Sequence, residues 1–393
     1  MINENKIFDI VMYGNGLSAK SALVALTKQE YKILWINNIN KEEHDDRTTM
    51  LSPVSVDFYQ KLNLNNLRSI IFPTKKILIK TKNQKNFTTF EDKKFQKPLC
   101  FLAENKFLHK ELNIIISNQK KKKNFLELNE DIDKLNPNKN YNEIILKSGK
   151  KIHTSLVIGV DGANSLIRDL SNIKSKDKGI KKYGLVGLIE HDQTHPFTSW
   201  QVFSENGILA LLAKENITKT RSVSSMIWSL DKNQMKYLLN LDKDDFEKKI
   251  KNEIGLNLGK LSLISKISKW PIKRIDVSNP IGLRSVVLGD AAHAIYPLAG
   301  QGFNLAIGDV SELVKTLNWA RNHGLDLGSS VVLNKYENKR KVWVNSITKL
   351  TDGLDWFFTN TSVQTQNILG TTLNFVDNFD SIKRKLLEKM VNN

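Results

Sequence analysis

IFDIVMYGNGLSAKSALVALTKQEYKILWIN, residues 7–37, reads as the start of a doubly wound parallel sheet. Residues 7–13 are an apolar, β-branched run suited to a strand buried on both faces. Gly14-Asn15-Gly16-Leu17-Ser18-Ala19, a G-x-G-x-x-A, breaks the run; 17–29 then reads as a helix with small residues on one face, and 32–37 as a second strand. Gly14 allows the tight turn, Gly16 lets backbone approach a pyrophosphate, and Ala19 permits close helix–strand packing. The N–H groups at the helix start offer a half-positive anion site. Glycine turns also serve packing, but in this strand–helix context the loop points to dinucleotide binding. At the end of the second strand such folds carry an acid for the adenosine ribose. Asn37 stands there instead, and its amide oxygen can accept a hydrogen bond without the strengthening charge.

Two later stretches extend the same sheet. Residues 152–160 form a strand ending at Asp161, and 285–289 a strand ending at Asp290. Between them, 180–230 is rich in β-branched and aromatic residues with turn signals such as Ser204-Glu205-Asn206-Gly207, and reads as antiparallel sheet. From about 300 the pattern is helical. The expected fold is α/β: a Rossmann-type domain over 1–70, 101–170 and 275–325, interrupted by a β-rich substrate domain over 71–100 and 171–274, with a C-terminal helical region over 326–393. Asp161-Gly162-Ala163-Asn164-Ser165 is a second glycine loop, which a capped turn into a short helix explains equally well. The third loop, GDAAHAIYPLAGQGFNLA (289–306), carries the most chemistry. Asp290 can accept hydrogen bonds from a polyol, Pro297 fixes a bend, and Gly300 and Gly302 bare backbone before a long helix.

Composition bounds the rest. A chain of 393 residues suits two interlocked domains, and 40% hydrophobic with 25% charged residues is globular. The single cysteine, Cys100, excludes a disulfide framework and a thiolate zinc cluster, and fits a reducing compartment. The polar start runs straight into a strand, so no signal peptide is expected, and no apolar run approaches the roughly 18 residues of a membrane span. The net charge of +18 rests on 59 basic residues of which nine are arginine. That lysine excess is spread along the chain and reads as compositional bias rather than nucleic-acid binding, although a basic surface is drawn to anionic membranes. QKKKK (119–123) reads as a solvated turn.

GDAAHAIYPLAGQGFNLAIGD, DGANSLIR and the first glycine loop together resemble the FAD-dependent aromatic hydroxylases of the para-hydroxybenzoate hydroxylase fold. More narrowly the chain is similar to the ubiquinone-biosynthesis hydroxylase group. DRTTMLS (46–52), Glu104-Asn105-Lys106, LALL (209–212) and TDGL (351–354) carry that narrower likeness, in the family's order along nearly the whole chain. Asn37 replaces the usual ribose acid, and Lys106 stands where the family has arginine, keeping charge but losing the bidentate fork.

The resemblance implies FAD stretched across the sheet: adenosine near Asn37, diphosphate over Gly14, Gly16, Ala19 and Arg47, with Lys106 and Asp161 nearby. It places the ribityl chain at Asp290 and the ring beside Pro297, Gly300, Gln301, Gly302, Phe303 and Asn304. It implies a monooxygenase taking O₂ and electrons from NAD(P)H or another donor, which hydroxylates a polyprenylated phenol through a flavin C4a-hydroperoxide. No fixed catalytic residue is required. His293 in its tight loop is more simply a loop-holding residue than an acid or base, and the seven histidines show no ligand spacing for a metal. A lipid substrate and the basic segment SIKRKLLEKMV (381–391) fit a cytoplasmic chain that sits on the inner membrane, alone or with other ubiquinone-biosynthesis proteins; a helix docking on the core explains that segment as well. A flavin-fold scaffold without turnover, and a reductase or halogenase of related fold, remain open at this point.

Overall fold

The computed structural model describes residues 7–37, 47–82, 87–92, 96–192, 197–218, 220–296 and 301–360. The opening segment forms the strand Ile7–Tyr13, the helix Leu17–Thr27 and the strand Ile33–Ile36. Ile7–Tyr13 sits mid-sheet, parallel to Ile33–Ile36 on one side and to Lys151–Gly159 on the other. Phe125–Leu128 and Ser285–Val287 extend the parallel array at its two ends. The winding therefore reverses beside the first strand, and the Gly14 loop opens at that switch point, where ligands of such sheets gather. Alternation sends Ile10 and Met12 toward helices Leu17–Thr27, Asn105–Gln119 and Gln301–Asn322, while Val11 faces a second core on the opposite side.

The expected strand 285–289 is shorter than its apolar run. Pairing ends at Val287, and Gly289–Ala291 tightens into one 3-10 turn. Gly289 has φ +60°, and a Cβ there would lie 3.1 Å from that of Ala306, so this turn is pressed against the long helix. The helix Ser330–Asn360 is no detached appendage, since Val332, Leu333 and Tyr336 belong to the main core.

The region 180–230 lies within a nine-stranded sheet that is antiparallel except where Thr198–Ser204 runs parallel to Lys76–Thr81. Helix Lys243–Ile254 covers its outer face, packing Phe246 and Ile250 near Trp228. In the LALL segment, alternation buries Leu209 and Leu211 in that outer core and turns Ala210 and Leu212 to the inner face.

Two of the motif segments tie neighbouring elements together. Thr48 Oγ1 and Ser225 Oγ share a hydrogen bond of 2.7 Å, and Thr49 Oγ1 donates to Asn105 Oδ1 at 2.5 Å. Asp352 of TDGL takes Arg274 Nε at 2.9 Å and an Nη at 2.8 Å, and Arg274 is 1% exposed. Pro297, Gly300 and the basic segment 381–391 lie outside the described residues. Among the described residues no helix is long and apolar enough to cross a membrane.

Candidate active site

One cavity of about 1760 Å³ receives all three loops. Gly14 and Gly16, then Asp161, then Asp290 line it in turn, with Gln301, Gly302, Phe303 and Asn304 from the start of the long helix. Asn37, Arg47 and Lys106 line it as well, so the structure brings together every described site residue the sequence named except Ala19 and His293. Ala19 is fully buried in the main core, where its small side chain lets helix and strand pack closely. The opposite wall is the inner face of the nine-stranded sheet, with Ile77, Ile79, Ala210, Leu212 and Ile227.

The first loop admits glycine for two different reasons. Gly14 has φ +136°, and a Cβ there would stand 2.2 Å from Val160 O, while at Gly16 a Cβ would meet nothing within 4 Å. Gly14 is thus required by the fold, and Gly16 leaves room over the helix start. Trp35 Nε1 donates to Gly14 O at 2.7 Å and pins the loop.

The second loop holds itself. Asp161 accepts from Ser165 Oγ at 2.6 Å and from Ile167 N at 3.1 Å, and burial raises its carboxyl against those bonds. Its carboxylate closes the turn while its edge meets the cavity. Arg168 Nη donates to Ala163 O at 3.0 Å and to Ala291 O at 3.2 Å, coupling the second loop to the third.

At the third loop Asp290 projects into the cavity and is exposed there. The mass of protein around the cavity raises its carboxyl above the ordinary range, and the charges of His293 and Arg47 pull it back down. Arg47 stacks over the Trp270 ring at 4.1 Å. Lys106 is paired with Glu104 at 2.9 Å, so the charge offered in place of an arginine is already engaged. Asn304 accepts from Ser52 N and Ser55 Oγ, each at 2.8 Å, and donates to Met50 O at 2.9 Å; it locks the helix start to the small sheet. Gln301 Oε1 is buried with no partner among the described residues.

His293 turns away from this space. Its Nε2 meets Asp309 Oδ2 at 2.5 Å, and although burial alone would lower its pKa, the Asp309 carboxylate outweighs that and holds it raised. Asp309 also accepts Gly289 N at 3.1 Å and Arg340 Nε at 2.8 Å. Sequence reasoning passed over Asp309, although an acid on the buried stripe Leu305–Asp309–Leu313 was a visible signal. It also passed over Glu127, which lines the cavity beside Asn37. Among the described residues no group of three His, Cys, Asp or Glu side chains could hold a metal.

The sequence profile described as FAD binding domain matches residues 107–351. A ubiquinone hydroxylase of Neisseria meningitidis is 25% identical over 63% of this chain, which spans only 53% of that relative's length. The mitochondrial ubiquinone biosynthesis monooxygenase of Drosophila melanogaster is 24% identical over 84% of this chain and 79% of its own. Among solved structures, p-nitrophenol 4-monooxygenase from Pseudomonas putida superposes with a TM-score of 0.76, covering 98% of this chain and 99% of that one at 14% identity, a likeness of fold.

Proposed function

The chain belongs to the FAD binding domain family, and on that footing we propose that it is an FAD-dependent monooxygenase hydroxylating the aromatic ring of a polyprenylated phenol on the route to ubiquinone. FAD is the cofactor, and the residues present suit it: the open space over Gly16, the cavity-facing Asp290 and the cavity-lining helix start Gln301–Asn304 offer sites for phosphate, polyol and ring in that order. The N–H groups of the first loop and the Arg47 charge would hold the diphosphate, Asp290 the ribityl hydroxyls, and Gln301–Asn304 the flavin ring. Bound there, reduced FAD supplies the activation of O₂ from which one oxygen atom passes to the substrate.

The observation that carries the reading is the continuity of the cavity. The polar loops of the parallel sheet and the apolar inner face of the second sheet bound a single space. Ile77, Ile79, Leu212 and Ile227 give an apolar wall for an aromatic ring and the first units of a tail, and they exclude water beside the flavin end. The opening of the helix Gln301–Asn322 brings a half-positive terminus to the same place, which stabilises negative charge on a reduced ring. An insoluble tail requires a membrane or a lipid-carrying partner, and the +18 chain suits an anionic bilayer surface. Electrons come from NAD(P)H or a separate carrier.

Purified protein given FAD, a reductant, ¹⁸O₂ and a short-chain prenylphenol should yield a product carrying one labelled oxygen. Bound flavin with no oxygen transfer to any prenylphenol would replace this reading with that of a scaffold.

A further inference from the structure

Doubly wound dinucleotide sites place an acid at the end of the second strand, where it accepts from the ribose of the adenosine half. Here Asn37 holds that position, yet a carboxylate is close by. Asn37 Nδ2 donates to Glu127 Oε1 at 3.2 Å, across the parallel pairing of Ile33–Ile36 with Phe125–Leu128. Asn37 is 5% exposed, and its Oδ1 has no partner among the described residues. Both residues line the cavity at the end next to the Gly14 loop, and since the Asn37 amide oxygen is buried, the Glu127 carboxylate is the acceptor presented there.

We propose that Glu127 is the ribose-binding acid of this chain, moved one strand outward from its usual place, and that Asn37 orients it. The proposal rests on the reading that this cavity holds FAD. The hydrogen bond from Asn37 Nδ2 fixes the Glu127 carboxylate, while Asn37 Oδ1 itself is buried. The two oxygens of the Glu127 carboxylate, each keeping a lone pair beside its contact with Asn37 or Lys120, match the vicinal hydroxyls of a ribose, each of which can donate. The negative charge of Glu127 is balanced from both flanks. Lys120 pairs with its Oε2 from the end of helix Asn105–Gln119, and Lys20 approaches from the first helix. Burial lowers the Lys20 pKa, and the Glu127 charge acts against that burial. The QKKKK run thereby gains a use for its first lysine. An asparagine at the second-strand end then costs the site no charge, because the charge arrives from the neighbouring strand.

The test is a titration of flavin-stripped wild-type protein and Glu127→Gln with FAD and with an FAD analogue lacking both hydroxyls of the adenosine ribose. For wild type, FAD should bind about tenfold more tightly than the analogue, the factor that about 1.4 kcal/mol supplies. Glu127→Gln should lose about tenfold for FAD and leave analogue binding unchanged, because the carboxylate then has nothing to receive. Equal losses for both ligands would show that Glu127 acts through the fold, and unchanged FAD binding would show that it does not meet the ribose; either overturns the proposal. Wild type binding neither flavin would instead overturn the cofactor reading beneath it. Unfolding midpoints of the stripped proteins, measured alongside, should agree between wild type and Glu127→Gln.

Discussion

Asp290→Asn should weaken FAD and at the same time stabilise the flavin-free protein. The carboxylate is open to the cavity, and the protein around that cavity raises its pKa, so its charge is held at a cost that the cavity's solvent moderates. FAD would repay that cost through ribityl hydroxyls donating to a charged acceptor, an interaction of about 1.5–3 kcal/mol. Losing it corresponds to roughly a 10- to 150-fold rise in Kd. The sign of the stability effect follows from linkage. A carboxyl whose folded pKa lies above its unfolded value near about 3.9 binds its proton more tightly when folded. Stability is then greatest at low pH, falls as pH rises from the unfolded value through the folded one, and keeps the full penalty above it. Asparagine carries no such penalty. Flavin-stripped Asp290→Asn should therefore melt above stripped wild type at pH 7–8, and the two curves should converge toward about pH 4. The assay is thermal unfolding across that pH range, paired with FAD titration by fluorescence quenching. Unchanged FAD affinity would remove Asp290 from the site, and a lower melting point for the stripped variant at neutral pH would show that the carboxylate is paired in the empty protein.

Asp309→Ala should cost about 3–5 kcal/mol in urea unfolding, because it strands Arg340 and His293 without their buried acceptor. In wild type the His293 pKa is raised, so its contribution is full below about pH 6.5 and is lost as pH climbs through the folded value; the depressed Asp309 contributes above about pH 3.9 and is lost as pH falls. The variant should lack the alkaline decline. Gly14→Ala should lose about 2–4 kcal/mol of stability together with FAD retention, since the new Cβ strikes Val160 O; wild-type melting behaviour would contradict the required φ. The full chain should sediment with anionic liposomes, more weakly as salt rises, and removal of 381–393 should reduce this while FAD stays bound. Equal sedimentation of both forms would assign those residues to packing.

The parts of the fold that were legible in the sequence are those where a single residue type has a single geometric use. The G-x-G-x-x-A after an apolar run located the first strand, the first helix and the switch point, because Gly14 and Ala19 are demanded by local sterics. LALL was visible as a segment, but which of its residues face the cavity depended on knowing that its outer face is covered by Phe246 and Ile250. The strand 285–289 was read too long because Leu288 and Gly289 extend an apolar pattern, whereas contact with Ala306 forces the turn. That contact joins residues 17 apart and leaves no local mark. Glu127 was missed for a similar reason: it is ordinary in its own strand, and only the pairing with Ile33–Ile36 sets it beside Asn37.

These cases share an arrangement that separates holding from binding. Each loop is fixed by a polar latch directed into the protein: Trp35 on Gly14 O, Ser165 on Asp161, Arg168 on Ala291 O, and Asp309 on Gly289 N and His293. What is left toward the cavity are carboxylates, at Asp290 and Glu127. A buried latch supplies stability and a charge open to the cavity supplies little, so the two classes should respond differently when neutralised without ligand. Latch variants should lose folding stability and FAD together, whereas cavity-facing variants should lose FAD while the stripped protein loses no stability. The same division explains why the family's loops are easy to recognise while the adenosine end departs from it. The latches constrain backbone, which few residues satisfy, whereas an acceptor facing an open cavity can be supplied by any neighbouring strand that brings a carboxylate within reach.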